Sequence, residues 1–99
     1  MAATVDIGTL ITRDPKIRGG RPIIAGTGMS VRRIVGWYQL GLSPEEIAHE
    51  IPHVILAQVY AALAYYHANR AEIDADIANE EAEAERIERE HYRNMKNQQ

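Results

Sequence analysis

Cysteine is absent from the chain, which excludes a disulfide scaffold, a thiolate zinc site and cysteine nucleophilic catalysis. Long apolar runs are absent too, and the runs present are far shorter than the about 20 residues a membrane span requires. The first dozen residues lack the basic start and apolar stretch of a secretory signal. Helix breakers are missing from the second half: all seven glycines lie at or before Gly41, and the last proline is Pro52. At 99 residues the chain is short for a self-contained metabolic enzyme. It fits one small domain, or a smaller one with a tail. These absences predict a soluble, cytoplasmic, non-enzymatic protein.

Charge is present but unevenly placed. Residues 1–42 hold six basic side chains against Asp6 and Asp14, whereas residues 43–99 hold five basic and twelve acidic ones. The formal net charge of -3 therefore hides a basic first half and an acidic second half. Two surfaces for two partners are the simplest expectation, the basic one facing an anion.

Local signals divide the chain into three parts. In residues 1–29, Thr9-Leu10-Ile11-Thr12 and Arg21-Pro22-Ile23-Ile24-Ala25 are short β-prone runs, punctuated by Asp14-Pro15 and Gly19-Gly20. They predict two small strands or an extended arm. Gly26-Thr27-Gly28 lacks the lysine of a P-loop and the third glycine of a dinucleotide fingerprint, so a tight turn is expected rather than a nucleotide site.

In residues 30–67, Ser30 can cap a helix from Val31 to Leu40, with Val31, Ile34, Val35, Tyr38 and Trp37 toward the core. Gly41 suits the left-handed position that ends it. Ser43-Pro44-Glu45-Glu46 opens the next helix with a cap, a proline at its first position and two glutamates near the positive end of its dipole. Ile47, Ala48 and Ile51 form its apolar side, and Pro52 stops it. A third segment carries Val59, Ala62, Leu63 and Tyr66 at helical spacing. Three helices with tight turns and a short middle one describe a helix-turn-helix unit. From about Ile55 to Arg93 the composition is helical, either unbroken or interrupted at Asn69 or Asn79.

Residues 68–99 are an acidic helical extension. Ile73, Ile77, Ala84 and Ile87 fall on one helical face, and Ala71, Ala75, Ala78 and Ala82 on a second. So thin a stripe suits a groove on a partner better than an isolated helix. A solvated acidic tail is the alternative.

Several motifs occur here in one order: Ile11-Thr12-Arg13-Asp14-Pro15, Gly19-Gly20-Arg21-Pro22-Ile23-Ile24-Ala25-Gly26-Thr27, Gly41-Leu42-Ser43-Pro44-Glu45-Glu46-Ile47, Ile51-Pro52 and Val59-Tyr60-Ala61-Ala62-Leu63-Ala64-Tyr65-Tyr66. Across about residues 10–67 the chain resembles the short VapB-like antitoxins, long grouped only as a domain of unknown function. It departs from them at Gly28, often arginine there, and at Ser30, often proline. The resemblance implies a β-arm followed by a trihelical, homeodomain-like helix-turn-helix, usually dimeric. It also implies a PIN-like ribonuclease toxin as partner, to be neutralised, with repression of the operon as a second role.

Candidate site residues follow. For DNA, Gln58 can address adenine from the start of the third helix. Arg32 and Arg33 lie in a first helical turn suited to phosphate, with Arg13, Lys16, Arg18 and Arg21 in the arm. No basic residue occurs between Arg33 and Arg70, which weakens the third helix as a reader. For the partner, Ile73, Ile77, Ala84 and Ile87 would dock, while Arg86, Arg89, Arg93 or Lys96 could pair with carboxylates of a metal site. The histidines lack ligand spacing, so neither a metal nor a cofactor is expected. The competing function is a stand-alone DNA-binding regulator whose acidic tail dimerises.

Overall fold

The computed structural model describes residues 4–97. Among them the fold is mainly helical, with a small antiparallel hairpin before four α-helices. Strand β1 (Ile11–Thr12) pairs with β2 (Ile23–Ile24) in the register Ile11 opposite Ile24 and Thr12 opposite Ile23. Both expected strands form, shorter than the β-prone runs. The turn after β2 closes with the Thr27 N–H donating to the Ile24 carbonyl at 3.1 Å. Gly26 sits there at φ +79, a conformation that glycine adopts without a Cβ penalty.

Helix α1 (Val31–Gln39) begins at Ser30, whose Oγ accepts from the Arg33 N–H at 3.1 Å. It ends before Gly41, at φ +99. Helix α2 (Pro44–Glu50) opens with a reciprocal capping box. The Glu46 N–H donates to Ser43 Oγ at 3.2 Å, and the Ser43 N–H donates to Glu46 Oε1 at 3.0 Å. Hydrogen bonding to the Ser43 backbone N–H, then to the Ser43 side chain, holds the Glu46 carboxyl below its ordinary pKa. The box is thus fully formed above the usual carboxylate range and is lost as pH falls through the lowered folded-state value. Ser43→Ala is expected to cost about 1 kcal/mol near neutral pH. In urea titrations that penalty should shrink as the buffer is taken through the carboxylate range; a penalty constant with pH would refute the reciprocal box.

Helix α3 (Leu56–Ala68) buries Val59, Ala62, Leu63 and Tyr66, the four positions that helical spacing selects. The long helical stretch breaks at Asn69, at φ -136 and ψ 44, and not at Asn79. Helix α4 (Arg70–Asn97) then runs 28 residues, about 42 Å at 1.5 Å per residue.

The core joins all three sequence segments. Ile24 of β2, Val31, Ile34 and Val35 of α1, Ile47 of α2, Val59 and Leu63 of α3 and Ile73 of α4 form one cluster. The division at residue 68 therefore falls inside the packed body rather than at its edge. Residues 1–3 and 98–99 of the two outer segments lie outside the described residues. Tyr38, expected on the buried face of α1, is exposed, because the core narrows toward the C-terminal end of that helix. Its ring instead meets His67 of α3 edge-on at 6.5 Å.

Candidate docking site

The basic and acidic halves of the chain meet each other. Along α4, Glu72, Asp76 and Glu80 recur every fourth residue, so they share one side of the helix about 6 Å apart. Opposite them stand three arginines of the first half. Arg13 Nη2 donates to Glu72 Oε1 and to the Tyr65 hydroxyl, each at 2.5 Å. Arg21 Nε donates to Asp76 Oδ1 at 2.6 Å. Arg32 pairs with Glu80 and lies 3.6 Å from Asp76 Oδ2. The expectation of two charged surfaces for two outside partners is corrected here: much of the opposite charge is neutralised within the molecule.

Electrostatics follow from this geometry. Hydrogen bonding to Glu72, then to Tyr65, raises the pKa of Arg13. Burial lowers that of Arg32; Asp76 opposes the shift, and Arg21, Arg18 and Arg33 add to it. Between Arg32 and Asp76 the contact is an ion pair, not a hydrogen bond. Arg32 Nε and Asp76 Oδ2 are both buried without a hydrogen-bond partner among the described residues.

The other DNA candidates are less committed. Arg18 Nε donates to the Gly28 carbonyl at 3.1 Å, the Arg33 guanidinium stacks over Trp37, and Lys16 is exposed. With Arg32, Arg18 and Arg33 line an open recess of about 310 Å³ into which Glu80 also reaches. Gln58 does not present its amide to a base: its Oε1 accepts from the Ile55 N–H at 2.8 Å and closes the start of α3. The sequence signal for this was available, since Gln58 is the third residue of the helix, where a side chain can reach back to the preceding backbone.

The residues expected to dock on a partner separate into two groups. Ile73 is fully buried in the chain's own core and Ile77 is packed against it. Both are corrected from partner-binding to core-forming, because α4 lies across the body through its first two turns. Glu80 in the third turn still pairs with Arg32, and beyond it every described side chain of the helix through Lys96 is exposed. Ile87 is 54% exposed and Met95 53%, and Ala84 is exposed. At about 100° per residue, Ile73, Ile77, Ala84, Ile87, His91 and Met95 all lie within about 40° of one line; Glu80 lies on it too and, paired with Arg32, separates the buried part of the stripe from the exposed part. Glu81 and Glu88 border it on one side, and Glu83 and Glu90 on the other. Arg86, Arg89, Arg93 and Lys96 occupy the opposite face. Arg86 is held there by Glu83 and by Glu90, the latter at 2.7 Å. The partner candidates thus form two surfaces, one apolar with acidic rims and one basic. An open recess of about 570 Å³, lined in part by Arg32, Glu80, Ala84 and Ile87, marks where α4 leaves the body.

No group of three or more His, Asp or Glu residues is placed to hold a metal among the described residues. No helix among them is long and apolar enough to cross a membrane. What the fold and this surface define is a small helical protein with a hairpin arm and a projecting, half-sequestered helix. The chain belongs to the family described as "Protein of unknown function (DUF433)", whose profile matches residues 11–66. It is similar to the crystal structure of a DUF433 member from Anabaena variabilis ATCC 29413, with a TM-score of 0.66 and 30% identity, over 71% of this chain and 69% of that one. No curated protein matches. The family match stops at Tyr66, before α4 begins.

Proposed function

We propose that this protein acts by binding, as a VapB-like antitoxin that neutralises a PIN-like ribonuclease through the distal part of α4. One observation carries the reading. Past Glu80, which pairs with Arg32, the line that seals the chain's own core at Ile73 and Ile77 resumes for about three turns through Ala84, Ile87, His91 and Met95, all of them exposed. In this reading α1, α2 and α3 form a homeodomain-like helix-turn-helix that serves as the scaffold. Acidic rims on an apolar stripe fit an apolar groove edged with lysine and arginine, as a surface that handles RNA carries. Because Arg86, Arg89, Arg93 and Lys96 lie on the opposite face, inhibition works by covering that rim rather than by an arginine entering the metal site.

The stand-alone DNA-binding regulator is less well supported, since Arg13, Arg21 and Arg32 are already paired and the Gln58 side chain is engaged in capping α3. Operon repression would be left to Lys16, Arg18 and Arg33. The test is titration of the full chain into a PIN-like ribonuclease encoded beside it, followed by RNA cleavage. Stoichiometric inhibition is expected, weakened by about tenfold or more in Ile87→Glu (about 1.4 kcal/mol per tenfold). Undiminished cleavage in the presence of excess protein refutes the reading.

A further inference from the structure

One cluster of charge stays uncompensated in the folded chain, beside the start of α1. Arg18 of the hairpin loop, with Arg32 and Arg33 of the helix, lines the recess of about 310 Å³. A single carboxylate reaches into it, that of Glu80, which pairs with Arg32. Three positive charges thus meet one negative charge, and adding Arg21 with its partner Asp76 leaves the excess unchanged. Arg18 and Arg33 form no ion pair among the described residues. Both are nevertheless held in place by groups that carry no charge. Arg18 Nε donates to the Gly28 carbonyl at 3.1 Å, and the Arg33 guanidinium lies 5.6 Å from the centre of the Trp37 ring. Such anchoring fixes a cation without neutralising it, so little ordering remains to be done when an anion arrives.

We infer that this recess binds a small phosphate dianion, free phosphate or a phosphomonoester, between Arg18, Arg32 and Arg33. Charge selects the ligand, since a phosphomonoester carries about −1.5 to −2 near neutral pH and so matches the excess. Guanidinium forks suit its oxygens, because each can offer two parallel N–H donors. Size agrees: about 310 Å³ lies at the lower end of small-molecule sites. The helix end is not the anchor. The Val31 N–H donates to the Pro22 carbonyl at 3.0 Å, and the Arg33 N–H to Ser30 Oγ at 3.1 Å. Duplex DNA is a poorer occupant, because it needs cations spread along a strand. Arg13 and Arg21, which would extend the cluster, are already paired with Glu72 and Asp76. Glu80 is the chain's own stand-in for the anion. Its side chain is 60% exposed and that of Arg32 only 17%, so the carboxylate can move into solvent and yield Arg32 to the ligand. Binding therefore frees Glu80, while Ile73 and the Arg21–Asp76 pair keep α4 seated. Nothing in this site depends on the toxin-binding reading, whose contacts begin at Ala84.

The test follows the arginine Nε–H resonances of the full, nitrogen-labelled chain by NMR. Inorganic phosphate and, separately, phenyl phosphate are titrated in at constant ionic strength, with chloride as the balancing anion. Saturable shifts are expected at Arg18, Arg32 and Arg33 and none at Arg86; the tighter of the two probes tells free phosphate from a monoester. Arg18→Gln and Arg33→Gln, each shown by circular dichroism to be folded, should raise the Kd about tenfold or more. Glu80→Gln removes the competing carboxylate and should lower the Kd about threefold or more. Glu85→Gln, the same change of charge on an exposed part of α4, should leave it unaltered. Shifts that fail to saturate, or that chloride alone reproduces, overturn the inference. So does a Kd untouched by both arginine variants, or one tightened equally by Glu80→Gln and Glu85→Gln. A response to duplex DNA with none to either phosphate overturns it as well.

Discussion

Replacing Ile73 with alanine is expected to destabilise the protein by about 3 kcal/mol, within the range for truncating a buried isoleucine. For a domain of this size that corresponds to a fall in Tm of roughly 12–24 °C. The side chain is fully buried, in one cluster with residues of β2, α1, α2 and α3, so the space it leaves is bounded by elements that cannot all collapse into it. Ile87→Ala removes the same atoms from the same stripe fourteen residues later. There the side chain is mostly in water, and the expected cost is below about 0.5 kcal/mol. Chemical denaturation of the two variants separates a core residue from a docking residue on one helix. Equal losses would mean that α4 is not seated as described. Because the family match ends at Tyr66, a large effect at Ile73 would also show that the folded unit extends past the matched segment.

Asp76→Ala carries the second large effect. Only 17% of the Arg32 side chain and 13% of the Asp76 side chain are exposed, so removing the carboxylate strands a guanidinium that burial already disfavours. The substitution also removes the 2.6 Å acceptor of Arg21. A loss of about 2 kcal/mol is expected, short of the roughly 3–5 kcal/mol for breaking a fully buried pair, because Glu80 still reaches Arg32. Adding Arg32→Met to Asp76→Ala should recover much of the loss, since an apolar side chain of similar length has no charge to strand. A double-mutant cycle by urea denaturation measures the coupling. If the two losses simply add, the ion pair contributes nothing to holding α4 against α1.

These two residues also mark how far the sequence could be read. Ser30, Gly41, Ser43, Pro44 and Glu46 act through backbone groups within a few positions of themselves, so their roles are legible without a fold. The inner faces of α1 and α3 follow from helical period in the same way. Period selects a side of α1 but not how far along it the packing reaches, so Tyr38 has the phase of a core residue and is nonetheless exposed; the Gln58 cap, by contrast, is a local signal. The arginine–carboxylate row was legible in part: carboxylates at 72, 76 and 80 share a face. Nothing local, however, says that Arg13, Arg21 and Arg32 stand opposite.

By itself the sequence determined the helices, their caps, the hairpin residues and an isoleucine stripe along the last helix, because each depends on interactions spanning only a few residues. Tertiary structure alone decided where that stripe stops being interior and becomes surface, and that the two charged halves neutralise each other. The first outcome depends on how α4 seats against the cluster built by β2, α1, α2 and α3, and the second on contacts between residues more than forty positions apart; both are set by how the chain packs and not by periodicity.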